Sequence, residues 1–206
     1  FVKYNAVLRG INSAVAFLRK QLVQLCCALE VAERYAAGEL EFEQARSRAN
    51  LYTTTLHVIN SGIVKTSKLT FAGKVYRGVS GMALPDQFWE PNAHGVRGGI
   101  ESAFMSTTTD RAVAMQYAAS GGRGVVFEIQ MGMIDRGADI QAFSQFPGEA
   151  EVLFAPLTGL EVLGEPKVED TSTIVVDIRL NCNLHDLTIE QVCVCVSLSL
   201  SLSLSL

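Results

Sequence analysis

Along the first third of the chain, apolar residues recur at alternating spacings of four and three. Ile11, Val15, Leu18, Leu22, Leu25, Leu29 and Ala32 form one stripe, and Phe42, Ala45, Ala49, Tyr52, Leu56, Ile59 and Ile63 form a second. That period lays each set along one face of a helix. Ala36-Ala37-Gly38 separates the stripes, so the pattern predicts an antiparallel helical hairpin whose first helix ends near Tyr35. Thr53-Thr54-Thr55 is its weak point, because branched side chains resist helix. Short heptad runs are ordinary in bundles, which favours a packed helical layer over a coiled coil.

From residue 70 onward the period shortens to that of strands. Lys74 to Val79, Ala103 to Thr107, Val125 to Gln130, Glu151 to Phe154, Leu160 to Leu163 and Thr173 to Leu180 are the expected strands. Asp110 is placed to cap a helix running to about Ala119, with Val113 and Tyr117 one turn apart and Ser120-Gly121-Gly122 ending it. Many short strands with few long helices predict an α+β fold with two small packed sheets around a cleft. The glycine-rich pieces Gly95 to Gly99 and Gly121 to Gly124 read as loops near that cleft, with Arg97 and Arg123 available to phosphates; neither opens a helix after a strand, so neither is a nucleotide fingerprint.

The chain of 206 residues is long enough for one core and short for two. Its net charge of −4, with lysines and arginines scattered, argues against a nucleic-acid partner. No uncharged apolar run approaches the roughly 18 residues of a transmembrane segment. The absence of an initial methionine reads as a fragment or a processed product. Five cysteines make no disulfide framework; Cys26 and Cys27 are adjacent, and His57, His94 and His185 lack ligand spacing, so no metal is expected. Val192-Cys193-Val194-Cys195-Val196 followed by Ser-Leu pairs reads as translated dinucleotide repeat, and 182–206 is set apart as a low-complexity tail.

Candidate chemistry centres on Phe146-Pro147-Gly148-Glu149-Ala150-Glu151-Val152-Leu153-Phe154. Alternate residues of an extended chain share a side, so Glu149 and Glu151 are expected to present two carboxylates on one face. Alone, a Glu-x-Glu also fits a solvated strand face. Its company changes that reading: Lys74-Val75-Tyr76-Arg77-Gly78-Val79 and Ala103-Phe104-Met105-Ser106-Thr107-Thr108 precede it, each on its own expected strand. This order of aromatic-Arg, Ser-Thr-Thr and Glu-x-Glu resembles the arginine-specific mono-ADP-ribosyltransferases, the R-S-ExE class, over about residues 70 to 165. A threonine stands third in the hydroxyl triplet where the family more often has serine.

The resemblance implies a helical amino-terminal subdomain (1–69) packed on a split β-sandwich ADP-ribosyltransferase catalytic core (70–181) around an NAD cleft. It implies transfer of ADP-ribose from NAD to arginine side chains of a protein acceptor, with NAD as co-substrate and nicotinamide released through an oxocarbenium-like transition state. Glu151 becomes the catalytic carboxylate bonding the ribose, and Ser106 fixes its rotamer. Arg77 holds the pyrophosphate, Gly78 lets the backbone approach the nicotinamide amide, and Thr107 and Thr108 complete the hydroxyl cluster. Glu149 grips and helps deprotonate the acceptor guanidinium, whose unperturbed pKa is about 12.5 or higher. Phe146, in the turn made by Pro147-Gly148, meets the target protein. Two alternatives stand beside this reading: an NAD glycohydrolase in which water takes the acceptor's place, and a catalytically silent NAD- or protein-binding module.

Overall fold

A computed structural model describes residues 2–81, 84–92, 95–120, 122–169 and 173–181. The expectations for the tail 182–206, for His94 and His185, for Gly121 and for Cys182, Cys193 and Cys195 lie outside the described residues. The chain forms two compact units, one within Phe1–Val58 and one within Ile59–Asn183. The fold is α+β, and no helix among the described residues is long and apolar enough to cross a membrane.

The first unit is helical, in shorter pieces than the two stripes predict. Helices α1 (Val2–Gly10), α2 (Ala16–Cys26), α3 (Leu29–Ala36) and α4 (Phe42–Arg46) precede α5 (Thr53–Thr66), which runs on into the second unit. Two extended residues, Cys27 and Ala28, interrupt the first stripe between α2 and α3. The break resets the helical phase: Leu22, Val23 and Cys26 are buried before it, while Leu29, just past it, is exposed. The second stripe predicts burial better, with Phe42, Ala45, Leu56 and Ile63 all buried. Its helix is nevertheless broken just before the Thr53 triplet, where Tyr52 takes a positive φ of 51° and Asn50 Oδ1 accepts its N–H. Leu22, Val23, Val31, Phe42 and Ala45 make this unit's core.

The second unit is built on one hydrogen-bonded sheet of eight strands in the order β2-β7-β8-β4-β1-β3-β6-β5. They are β1 (Gly73–Ser80), β2 (Gly98–Glu101), β3 (Met105–Thr108), β4 (Gly124–Met131), β5 (Ala138–Asp139), β6 (Glu151–Phe154), β7 (Thr158–Val168) and β8 (Thr173–Asn181). A short helix, α6 (Asp86–Trp89), follows β1, and α7 (Arg111–Ala119) follows β3. The β1–β3 joint is the narrowest, with a single register pair, Tyr76↔Thr108. The expected split therefore takes the form of five strands and three strands meeting at that joint.

All six strands expected from the sequence are present, and β6 has the expected bounds. Two strands differ from expectation. Gly98–Glu101, read as part of a loop, is β2 and pairs with β7. A Cβ at Gly98 would overlap the carbonyl oxygen of Leu160, so the glycine is there for close strand approach. The second is β5, whose two residues are too few to show a period.

Val75, Phe127, Ile129, Met105, Val152 and Phe154 lie in the main core, on one face of the sheet. Helix α7 covers the other face through Ala114 and Ala118, which pack with Val126 and Val175. Its start is capped as the sequence predicts: Asp110 Oδ1 accepts the Ala112 N–H at 2.8 Å.

Candidate active site

Residues paired across an antiparallel ladder share a face. In β3 and β6 the pairs are Met105↔Phe154, Ser106↔Leu153, Thr107↔Val152 and Thr108↔Glu151. Met105, Phe154 and Val152 face the main core, so Ser106, Thr108 and Glu151 share the opposite face, that of α7. On that face Ser106 sits diagonally across from Glu151 and donates its hydroxyl to Glu151 Oε1 at 2.5 Å. The bond fixes one oxygen of a half-buried carboxylate and leaves Oε2 free of that constraint.

The same alternation divides the expected hydroxyl cluster. Thr107 turns toward the core, buried, and its hydroxyl donates to the Val152 carbonyl at 2.8 Å. Thr108 lies on the Glu151 face, but its hydroxyl is committed to the backbone. It donates to the Glu149 carbonyl at 2.6 Å and accepts the Asp110 N–H at 3.0 Å. In this chain Thr107 and Thr108 thus brace the strands that carry the carboxylates, and Ser106 is the member of the triplet whose hydroxyl meets one.

Arg77 is in register with Phe127 of β4, on the face of Val75 and Val79. Beyond Tyr76↔Thr108 the strands β1 and β3 have no further register pair, and the guanidinium lies where the ladder opens, donating from Nη1 to the Ser106 carbonyl at 2.8 Å. Its Nη2 faces Glu101 Oε2 at 3.6 Å, in an ion pair with both side chains mostly shielded. Glu101 is itself anchored, accepting the Ala103 N–H at 3.0 Å. Sequence reasoning did not find Glu101, since nothing in its spacing sets it apart from any other glutamate.

Gly78 follows Arg77 and turns its missing side chain toward α7. A Cβ there would overlap the carbonyl oxygen of Ala114, and helix and strand meet backbone to backbone. A packing requirement thus accounts for this glycine, independently of any ligand.

The Glu-x-Glu segment departs from the extended geometry expected of it. Pro147–Glu149 is a turn of 3-10 helix, and Ala150 is left-handed at φ 45° and ψ 53°. Ala150 is held there by its own N–H, which reaches the Pro147 carbonyl, and by its carbonyl, which accepts the Thr109 N–H at 3.2 Å. Only Glu151 belongs to the strand. Both carboxylates bear on Tyr117, which the sequence placed on a helix but not in the site. Tyr117, on α7, donates its hydroxyl to Glu149 Oε1 at 3.0 Å. That hydrogen bond, the Glu149 charge, burial and the Glu151 charge together hold the phenol above its ordinary pKa.

Phe146 opens the same turn and is 64% exposed, so it is not a core aromatic. Gln141 Nε2 donates to the Pro147 carbonyl at 2.8 Å and closes the loop on itself. Arg97, on the loop side of β2, pairs with Glu165 at 3.1 Å.

A family model described as NAD:arginine ADP-ribosyltransferase matches residues 24–181. Comparison with curated proteins gave no match. Among solved structures, the ADP-ribosyltransferase HopU1 of Pseudomonas syringae pv. tomato DC3000 is similar, with a TM-score of 0.50 and 20% identity over 64% of this chain and 55% of its own. The chain thus spans about half the length of that relative. The Vis toxin of Vibrio splendidus, an ADP-ribosyltransferase, aligns at a TM-score of 0.48 and 18% identity over 90% of this chain and 76% of its own. The eucaryotic mono-ADP-ribosyltransferase ART2.2 aligns at 0.41 and 16%, over 92% and 70%. At these identities the likeness to HopU1 speaks for the fold.

Proposed function

The chain belongs to the NAD:arginine ADP-ribosyltransferase family, and on that premise we propose that it transfers ADP-ribose from NAD to arginine side chains of a protein acceptor. The observation that carries the proposal is a relay of hydrogen bonds. Arg77 reaches the Ser106 carbonyl and the Ser106 hydroxyl reaches Glu151, so a cation and a carboxylate are held through one residue at the joint where the sheet opens.

In this reading Arg77 takes the NAD pyrophosphate, a task suited to a planar fork of donors that is always charged. The Gly78 backbone lies beside the nicotinamide amide, and Thr107 and Thr108 contribute through the strand they stiffen. Glu151 bonds the ribose and stabilises positive charge developing on the sugar, much as carboxylates do in glycoside hydrolysis. The C1′–N bond breaks with its electron pair passing to nicotinamide, which leaves as the neutral base. A guanidino nitrogen held by Glu149 bonds C1′ and gives up its proton through that carboxylate to water. Phe146 contacts the protein that carries the arginine.

Turnover of labelled NAD, with and without agmatine as a free guanidino acceptor, tests the proposal. Glu151→Gln is expected to lower both nicotinamide release and agmatine labelling by about 10²-fold to 10³-fold. Glu149→Gln is expected to lose labelling while nicotinamide release persists. Equal loss of both in Glu149→Gln would overturn the division of labour between the carboxylates. Release by the parent without any labelling would instead assign the chain to NAD hydrolysis.

A further inference from the structure

Beyond the arginine reading, Glu149 accepts a side-chain hydrogen bond from a tyrosine that lies far from it in sequence and on a different element. Tyr117 rides on α7, which is closely packed on the sheet. Ala114 and Ala118 of α7 are buried, and both Gly78 and Gly124 approach its backbone so closely that a Cβ on either would overlap a helix carbonyl oxygen. A helix seated in this way has little freedom to slide or rotate.

Glu149, in contrast, projects from a turn. Its backbone is tied to β3 by the Thr108 hydroxyl on its own carbonyl and by the Thr109 N–H on the next one. Those two bonds fix where the Glu149 Cα lies and leave the three torsions of its side chain undetermined. The Tyr117 hydroxyl supplies the missing constraint, bonding Oε1 at 3.0 Å.

We propose that Tyr117 is a positioning residue for the acceptor: its hydroxyl holds Glu149 Oε1 and thereby aims Oε2 at the incoming guanidinium. This rests on the arginine-transfer reading and deepens it. The chemistry suits the task. A phenol is a single directional donor, so it occupies one oxygen and leaves the other for a cationic N–H. A phenol is protonated at neutral pH in any case, and the Glu149 hydrogen bond and the neighbouring carboxylate charges oppose its ionisation further. With 54% of its surface exposed, Tyr117 stands where an arginine on another protein can reach the carboxylate it orients.

The test is Tyr117→Phe in the full chain, which keeps the ring and removes the hydroxyl. The quantity read is the ratio of agmatine labelled to nicotinamide released, with the KM for agmatine measured separately from that for NAD. The expected result is a fall in the ratio of about tenfold, the scale of one lost hydrogen bond to a charged group, together with a raised agmatine KM. Loss of helix packing would lower labelling and release together and leave their ratio unmoved. An unmoved ratio, whether the rates fall or hold, overturns the inference while the arginine reading stands. A parent chain that labels no agmatine overturns that reading and the inference with it.

Discussion

Ala150 is the residue that shapes the candidate site most and announced itself least. A left-handed alanine costs on the order of 1 kcal/mol, and turns needing that conformation usually carry glycine or asparagine. Nothing in Glu149-Ala150-Glu151 signals such a turn, so the alternation rule read the segment as extended and put both carboxylates on one face. In the structure Glu149 projects from a turn and Glu151 from a strand, and the charges of both raise the pKa of Tyr117. Gly78 carries the complementary lesson, since its place after Arg77 suggested a ligand and its surroundings impose a helix. Gly78→Ala is therefore expected to lower the unfolding free energy by about 1–3 kcal/mol or more, because the added methyl meets the Ala114 carbonyl rather than a compliant side chain. A urea midpoint shifted downward at unchanged slope checks this, and an unshifted midpoint would mean that α7 can lift off the strand.

At the scale of elements, the strands carrying Arg77, Ser106 and Glu151 were legible because each alternates and is rich in branched or aromatic residues. Helix α7 was legible from Asp110, whose capping bond is present. What escaped notice was whatever depends on which elements meet. Glu101 and Tyr117 owe their places to pairings across the sheet and to the seat of α7, and neither pairing leaves a mark on local sequence. Another such cross-element cluster joins Glu128 of β4 to Lys74 at 3.1 Å and to Arg111 at 3.0 Å, with Arg111 also paired to Glu169. Burial alone would raise the Glu128 pKa, but its hydrogen bonds to Arg111 and Lys74 outweigh that and hold it below the ordinary carboxylate value. A depressed folded-state pKa means that the cluster's stabilisation is complete above the unfolded value of about 4.3 and is lost as pH falls through the folded one. Glu128→Gln should accordingly melt a few degrees below the parent at pH 7, with the gap narrowing as the pH is taken from 5 toward 3. A gap that stays constant with pH would show that the cluster contributes nothing through its charge.

At the scale of the whole molecule, the amino-terminal stripes foretold helices but not their breaks, because extended residues such as Cys27 and Ala28 have no sequence signature of their own. The sheet order was beyond reach for a related reason: it is set by long-range pairing, which periodicity does not encode. That order bears on how the protein is made. The last described strand in the chain, β8, lies inside the sheet, parallel to β4 on one side and antiparallel to β7 on the other. As the chain leaves the ribosome, β2 with β7 and β4 with its neighbours emerge as two partial sheets with unpaired edges, a state that invites pairing with other chains. Thr173–Asn181 closes both of these edges at once, so the β4 and β7 edges stay open to other chains until translation has passed this strand.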